Sequence, residues 1–134
     1  MSAAVALRAA IFAALANDAA LAAVLGGAKI HDEPPRTLDF PFVTLGEAEM
    51  RDASTMTEDG DETTLSLHVY SRQGGHREAH AVVGAVMEAL IDAPLPLAGH
   101  HLANLRFAAA DVRRGEDGRT YHGRIRLRAV TEPM

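Results

Sequence analysis

The chain has 134 residues, of which 48% are hydrophobic, and a net charge of −5 at pH 7. A domain of this size buries roughly two-thirds of the surface that its unfolded chain exposes, so we expect residues 1–134 to form one domain. The lack of cysteine excludes disulfides and thiolate metal sites, and the acidic balance argues against a general nucleic-acid binder. Without a secretory signal pattern or an apolar run of the ~18 residues that span a membrane, we expect a soluble protein with no membrane partner.

Two helices are predicted at the N-terminus. Apolar residues recur at helical spacing in an alanine-rich segment, which predicts a helix over about Ala3–Ala16. Asn17 or Asp18 can cap a second, short helix, and the pair Gly26 and Gly27 ends it.

Strands are predicted in the middle of the chain. We expect a short strand at Ala28–His31 and a longer one from Phe42 to about Met50, with Gly46 as a bulge or a close approach. The polar residues 51–60 are predicted to form the loop of a long hairpin. In the segment ETTLSLHVYS that follows, apolar and polar residues alternate, which is the period of a strand with one covered face.

A third helix and a closing hairpin complete the predicted order. After the glycines at 74–75, apolar residues at spacings of three and four predict a helix that Pro94 and Pro96 bound. Two further strands, at about Leu102–Val112 and Tyr121–Val130, flank the turn RRGEDGRT. This order predicts an α+β domain, with a mostly antiparallel sheet and helices packed on one face.

The segment SRQGGHREAH raises the question of a metal site. His76 and His80 have the helical spacing of two zinc ligands, but Arg77 stands where a metalloprotease helix carries its glutamate. The other ligands would have to come from further histidines, with His68, His100 and His101 as candidates. The alternative, which we favour, is that the glycines permit a strand-to-helix turn and the histidines flank the apolar face of the helix. We therefore predict no catalytic, cofactor-binding or metal-binding residue.

Charge is unevenly distributed along the chain. One segment is acidic, with the residues Asp32, Glu33, Asp39, Glu47, Glu49, Asp52, Glu58, Asp59, Asp61 and Glu62. In the last strand, alternation places Arg124, Arg126 and Arg128 on the face opposite the apolar residues. Such an arginine row can bind phosphates or pair with carboxylates of a neighbouring chain, and we favour protein contacts because no aromatic residues interleave to stack bases. Two ordinary solvated faces remain the alternative.

The order of several short motifs resembles a known family. These are the P-[FY]-V-x-L-G segment at Pro41–Gly46, the strand ending at Val69–Ser71, the glycine turn into a helix ending in Ala89 and Leu90, and the closing HGRIRLR. Together they cover nearly the whole chain. In this order and spacing they resemble the tail-completion, or tail-terminator, family of long-tailed phages and gene transfer agents.

The resemblance implies a structural protein of the virion and not an enzyme. Such a protein forms a ring, usually of six subunits, that caps the tail tube, stops its polymerisation and meets the head-side connector, while DNA passes through the lumen. It would be assembled in the bacterial cytoplasm and lie at the head–tail junction, whether the source is a phage, a prophage or a gene transfer agent. The alternatives are a head–tail connector or stopper protein, or a metal-dependent enzyme that uses His68, His76 and His80.

A ring requires two different patches that meet on neighbouring copies. The sequence predicts a subunit interface between the arginine row and the acidic segment, with the residues Arg124, Arg126, Arg128, Asp32, Glu33, Glu47 and Glu49. A second prediction concerns the hairpin loop, which we expect to be mobile in the free subunit and then to order against the tube or line the lumen. Its acidic residues are Asp52, Glu58, Asp59 and Asp61.

Overall fold

The helices and strands follow one another in the order that the sequence patterns predict. The computed structural model describes residues 2–37, 39–73, 75–91 and 95–134. The elements found there are α1 (Ala3–Ala16), α2 (Ala19–Leu25), β1 (Ile30–His31), β2 (Phe42–Asp52), β3 (Asp61–Ser71), α3 (His76–Ile91), β4 (His100–Arg114) and β5 (Tyr121–Pro133).

The strands form a single sheet in the order β1-β2-β3-β5-β4. β1 runs parallel to β2, whereas all other neighbouring pairs are antiparallel. After α3 the chain enters the far edge of the sheet as β4 and turns back as β5, which lies between β3 and β4. The predicted α+β class with a mostly antiparallel sheet is confirmed.

Local side-chain and backbone chemistry sets the ends of the N-terminal helices. The Ser2 hydroxyl caps α1 by accepting a hydrogen bond from the backbone amide three residues later, at 3.2 Å. Of the two candidate caps for α2, the structure uses Asp18, whose carboxylate accepts from the Leu21 amide at 2.9 Å. Gly26 ends α2 with a φ of 78°, a left-handed conformation that glycine adopts at little cost.

The core lies between the helices and one face of the sheet. α3 approaches β5 so closely that a Cβ atom at Gly123 would lie 3.1 Å from a methyl group of Val83. The fully buried side chains come from both layers and include Leu7, Ile11, Leu15, Leu21, Leu25, Val43, Leu65, Leu67, Val69, Val82, Val86 and Ile125. The prediction that the helices cover one face is therefore confirmed.

The four long strands extend beyond the limits that their sequence patterns predict, whereas β1 is limited to Ile30–His31 of the predicted Ala28–His31. β2 and β3 pair as far as Asp52 and Asp61, so these two acids lie in the strands and the loop is reduced to residues 53–60. β4 and β5 likewise extend beyond their predicted limits. The alternating pattern fades where a strand leaves the core, but ladder hydrogen bonds continue as long as a partner strand is present. The predicted stop of α3 at Pro94 lies outside the described residues.

The apolar N-terminal helices form part of the hydrophobic core. In the described part of the chain no single helix is long and apolar enough to cross a membrane. Only α1 and α2 taken together reach the required length and hydropathy, and these two helices are bent by 72° relative to each other. Their leucines, such as Leu15 and Leu21, are fully buried in the core, whereas Val5, Phe12 and Val24 are exposed.

Candidate functional site

The face of the sheet opposite the helices is polar and open to solvent. Its residues occupy every second position of four strands, because successive side chains of a strand point to opposite faces. We call this surface the charged sheet face. Its members are Glu47, Glu49, Arg51, Glu62, Thr64, Ser66, His68, Arg106, Asp111, Arg113, His122, Arg124, Arg126 and Arg128.

The predicted arginine row lies at the centre of the charged sheet face, on β5. Arg124 pairs with Asp111 of β4 at 3.8 Å, and Arg128 pairs with Glu62 of β3 at 3.7 Å. Arg126 is exposed and forms no ion pair with any described residue. Two members of the row are thus partly neutralised within the subunit, whereas the guanidinium of Arg126 is available to another molecule.

A bulge in β2 brings an acid onto the same face. The register between β2 and β3 shifts between positions 45 and 48, so Gly46 and Glu47 together oppose Ser66. A Cβ atom at Gly46 would lie 2.5 Å from the His68 ring and 2.9 Å from the Ser66 carbonyl oxygen. The predicted bulge and the predicted close approach are both confirmed.

Two histidines and a glutamate are hydrogen-bonded beside the arginine row. His68 Nδ1 lies 2.7 Å from His122 Nε2, and His68 Nε2 lies 3.1 Å from a carboxylate oxygen of Glu47. Burial, followed by the neighbouring His68, lowers the pKa of His122. Burial alone would raise the pKa of Glu47, but hydrogen bonds from its own amide and from Ser66, together with His68, lower it. The arrangement favours an ionised Glu47 and a neutral His122.

Aromatic rings continue this cluster toward the end of the sheet. The Tyr70 ring stacks on His122 with centroids 4.9 Å apart, and on Phe42 with centroids 5.0 Å apart. The guanidinium of Arg72 lies 4.3 Å from the centroid of Phe40, which contacts Phe42 in turn. Because these rings cover one another, their faces are not free to stack on nucleic-acid bases.

The contact between His68 and His122 is not predicted by the sequence patterns. His68 is there only a candidate further ligand beside His76 and His80, although the alternation that assigns Arg124 to the polar face assigns His122 to it as well. What the sequence does not show is that β3 and β5 are neighbours with Tyr70 opposite His122 and His68 opposite Arg124. This pairing of distant segments is what makes the imidazoles meet.

The histidines of the α3 segment lie apart from this cluster. His76 and His80 are both exposed, their ring centroids are 6.4 Å apart, and His76 packs edge-on against Tyr121 at 4.7 Å. His100 and His101 lie at the start of β4. Within the described residues, no group of three or more histidine, aspartate and glutamate side chains is placed to hold a metal ion.

The acids that precede β2 lie at the β1 edge of the sheet. Asp32 accepts a hydrogen bond from Arg8 at 2.6 Å, while Glu33 is exposed. Arg8 also donates to the carbonyl oxygens of Gly46 and Leu45, at 2.6 and 3.3 Å. The structure therefore pairs Asp32 within the subunit and leaves Glu33 open to solvent.

The remaining predicted acids surround the tip of the β2–β3 hairpin. Asp52 and Asp61 are direct cross-strand neighbours, and Glu58 and Asp59 lie in the exposed loop. Like charges placed opposite each other on paired strands repel. Hydrogen bonds from the hydroxyl and the amide of Ser54 lower the pKa of Asp52, which favours its charged form. The tip is thus a concentrated negative charge at one end of the sheet.

Comparisons with known proteins agree with one another. A family model described as tail completion protein gp17 matches residues 9–132. The tail completion protein gp17 of Bacillus phage SPP1 is 28% identical over 102 residues, which are 75% of this chain and 74% of that protein. A structure of bacteriophage SPP1 gp17 superposes with a TM-score of 0.67 at 25% identity, over 95% of this chain and 89% of the other.

A second solved structure is more similar over a greater length. A chain in the virion of a native gene transfer agent particle superposes with a TM-score of 0.89 at 34% identity, over 98% of both chains. The resemblance in the sequence motifs is thereby confirmed. Since the family model covers nearly all of the sequence, the chain belongs to the tail completion protein gp17 family, whose place is in a phage or phage-like particle.

Proposed function

We propose that this chain forms a closed ring, of six subunits, on the end of the tail tube. The ring stops tube growth and presents a surface to the head-side connector, and DNA passes through its lumen without specific binding. The observation that carries this proposal is the near-complete match, from end to end, to a chain of a gene transfer agent virion. Two chains that share a fold over their whole length offer the same backbone framework for an assembly.

The chemistry of the charged sheet face supports assembly rather than catalysis. Its two histidines are hydrogen-bonded to each other and to Glu47, and the surface around them is an open, polar groove. Enzyme sites that bind small molecules are enclosed and mostly apolar, with a few convergent polar groups. An open face of alternating charges is instead suited to setting the orientation of a protein partner.

We propose that the subunit interface joins the acidic segment of one copy to the arginine row of the next copy. The acids nearest to the β2 edge would meet the arginine row of the next copy, with Arg126 as its unpaired member; these acids are Asp32, Glu33, Glu47 and Glu49. Exposed ion pairs contribute only about 0–1 kcal/mol each and weaken in salt. Charge would therefore set the register, while apolar contacts supply most of the affinity.

The hairpin tip is proposed to contact the tube or to line the lumen. A negative wall repels the phosphate backbone and keeps DNA from adhering, whereas a positive wall would bind it. Two backbone hydrogen bonds close the tip, Ala53 to Gly60 at 2.9 Å and Thr55 to Glu58 at 2.7 Å. The other hydrogen bonds of the tip involve the side chains of Asp52, Ser54 and Thr55 and stay within residues 52–60, so nothing outside the hairpin holds it by these bonds. Hydrogen exchange should show fast amides at 56–59 in the free subunit and slow ones in the particle; slow exchange in both would remove the loop from the assembly surface.

Electron microscopy of particles made without this chain tests the function itself. A terminator predicts overlong, uncapped tubes, because nothing stops polymerisation. Normal-length tails that lack heads would instead identify a connector, and normal particles would contradict both functions. In complemented particles, the double variant Arg124→Glu and Arg126→Glu should increase the share of overlong tubes, and Glu49→Arg added to it should restore part of the capping.

A further inference from the structure

The hairpin between β2 and β3 carries two exposed methionines in an otherwise polar and acidic segment. Met56 lies at the tip and is fully exposed, at 103%, and Met50, near the end of β2, is 58% exposed. Burying a methionine side chain is favourable, so the subunit alone leaves this stabilisation unused. A single exposed apolar residue is ordinary on a protein surface, and the significance of Met56 depends on how the tip holds it.

The tip holds Met56 in a preformed turn. The Thr55 amide donates to the Glu58 carbonyl oxygen at 2.7 Å, and the Thr55 hydroxyl accepts from the Glu58 amide at 3.0 Å. The Ser54 hydroxyl closes the turn a second time by accepting from the Gly60 amide at 3.1 Å. Because the turn is already built in the free subunit, little further ordering of its backbone is required when Met56 binds a partner.

The charges around Met56 are also without partners. Four exposed acids surround the tip and form no ion pair with any described residue, namely Asp52, Glu58, Asp59 and Asp61. Asp52 and Asp61 lie directly opposite each other on paired strands, where like charges repel. A positive group of another molecule would relieve this repulsion. In the described part of the chain, the tip thus has neither an apolar cover for Met56 nor a cation for its acids.

The two positions proposed above for the tip differ in what they offer it. In the lumen, Met56 would face water and the phosphate backbone, which neither bury an apolar side chain nor supply a fixed positive charge. A protein interface can supply both, since its centre is apolar and arginine is enriched in it. Methionine suits a pocket of this kind because its unbranched side chain adapts to the shape around it.

We propose that the hairpin tip docks on the end of the tail tube, with Met56 in an apolar pocket that arginine or lysine residues of the tube protein surround. The inference rests on the proposed ring, and it assigns the tip to the tube and not to the lumen. The tube end is the partner that a ring has to hold in order to stop tube growth. Met56 supplies affinity, and the acids set the orientation of docking. A ring carries one tip for each subunit, so modest contacts add up to a tight one.

Methionine oxidation measures this contact without a change of sequence. Peroxide converts accessible methionine to its sulfoxide, which mass spectrometry locates and quantifies. Met56 should oxidise fast in the free subunit and several-fold more slowly in capped tails that hold no DNA. A lumen filled with water would leave Met56 accessible, so equal rates in the subunit and in the tails would overturn the docking.

The variant Met56→Ser tests whether this side chain supplies affinity. Since Met56 is fully exposed, the denaturation midpoint of the free subunit should not change. Binding of each tip to isolated tubes should weaken by roughly 10- to 100-fold, as expected when one buried methionine is lost. Met56→Leu is the matched control and should retain capping, because it conserves apolar volume. The double variant Glu58→Gln and Asp59→Asn should weaken binding less and reduce its dependence on salt.

Electron microscopy of particles separates the docking from the function. Met56→Ser particles should contain overlong tubes, whereas Met56→Leu particles should have tails of normal length. Normal Met56→Ser particles would overturn the docking. Tails of normal length that lack heads in this variant would overturn it too, because they assign the tip to the connector. If particles made without the chain also have tails of normal length, the proposed function itself fails, whatever the tip contacts.

Discussion

β4 and β5 form one hairpin, but they have opposite roles in the molecule. The inner residues of β5, such as Ile125 at 0% exposure, are buried under α3, whereas β4 exposes Phe107 and the alanines around it on its free edge. The two strands pair with each other along their length, but β5 also pairs with β3 on its other side, whereas β4 has no second partner strand among the described residues. The difference teaches that position in the sheet, and not strand formation, decides which strand stabilises the subunit and which is available for assembly.

The largest expected effect on stability comes from truncating a buried side chain of β5. Ile125→Ala should lower the free energy of unfolding by about 2–5 kcal/mol, because it leaves a cavity beneath α3. Phe107→Ala on β4 should cost only about 1 kcal/mol, although it removes a larger side chain. Urea denaturation of both variants measures the difference, and equal losses would show that β4 is also part of the core.

A pair of glycine substitutions sharpens the contrast between a crowded and an open position. Gly46→Ala should cost about 1–3 kcal/mol, because the new methyl group meets His68 and the Ser66 carbonyl oxygen in the bulge. Gly84→Ala on the exposed side of α3 meets no atom within 4 Å and should gain about 0.5–1 kcal/mol. Thermal denaturation should show shifts of opposite sign; a stable Gly46→Ala protein would mean that the bulge relaxes freely.

The histidine pair predicts a pH dependence of stability. The folded-state pKa of His122 lies below its ordinary value of 6.5, so at mildly acidic pH the unfolded chain binds a proton that the folded chain excludes. Stability should therefore fall as the pH drops below about 6.5, until it reaches the lowered folded-state pKa. His122→Gln should flatten this slope, while the exposed control His80→Gln leaves it unchanged. Denaturation midpoints between pH 7.5 and 5 provide the measurement, and an unchanged slope in His122→Gln would assign it to other groups.

The smallest effect is expected at the start of α3. His80→Ala should change stability by less than about 0.5 kcal/mol, and His76→Ala by up to about 1 kcal/mol because its ring packs on Tyr121. Neither change should affect tail capping. Elemental analysis of the purified protein checks the metal alternative directly, since stoichiometric zinc that disappears in either variant would reverse the assignment of these residues.

The sequence by itself determined what depends on neighbouring residues. The alternation in β3 and β5 and the spacing in α3 are local properties of the chain, and each was predicted in place. The cap of α2 was narrowed to Asn17 or Asp18, and Gly46 to a bulge or a close approach, for the same local reason. The family could also be recognised from the sequence, because its motifs are separated by lengths that the fold itself requires.

Only the tertiary structure decided which distant residues share a surface. The sequence assigns the acids and the arginine row to separate segments, but the sheet order β1-β2-β3-β5-β4 places Glu47, Glu49 and Glu62 on the same face as Arg126. Strand order and register depend on how all elements bury their apolar faces together, and no local pattern encodes that choice. For the same reason, only the tertiary structure shows the contact of His68 with His122, the hydrogen bonds by which Arg8 covers one edge of the sheet, and the free edge of β4.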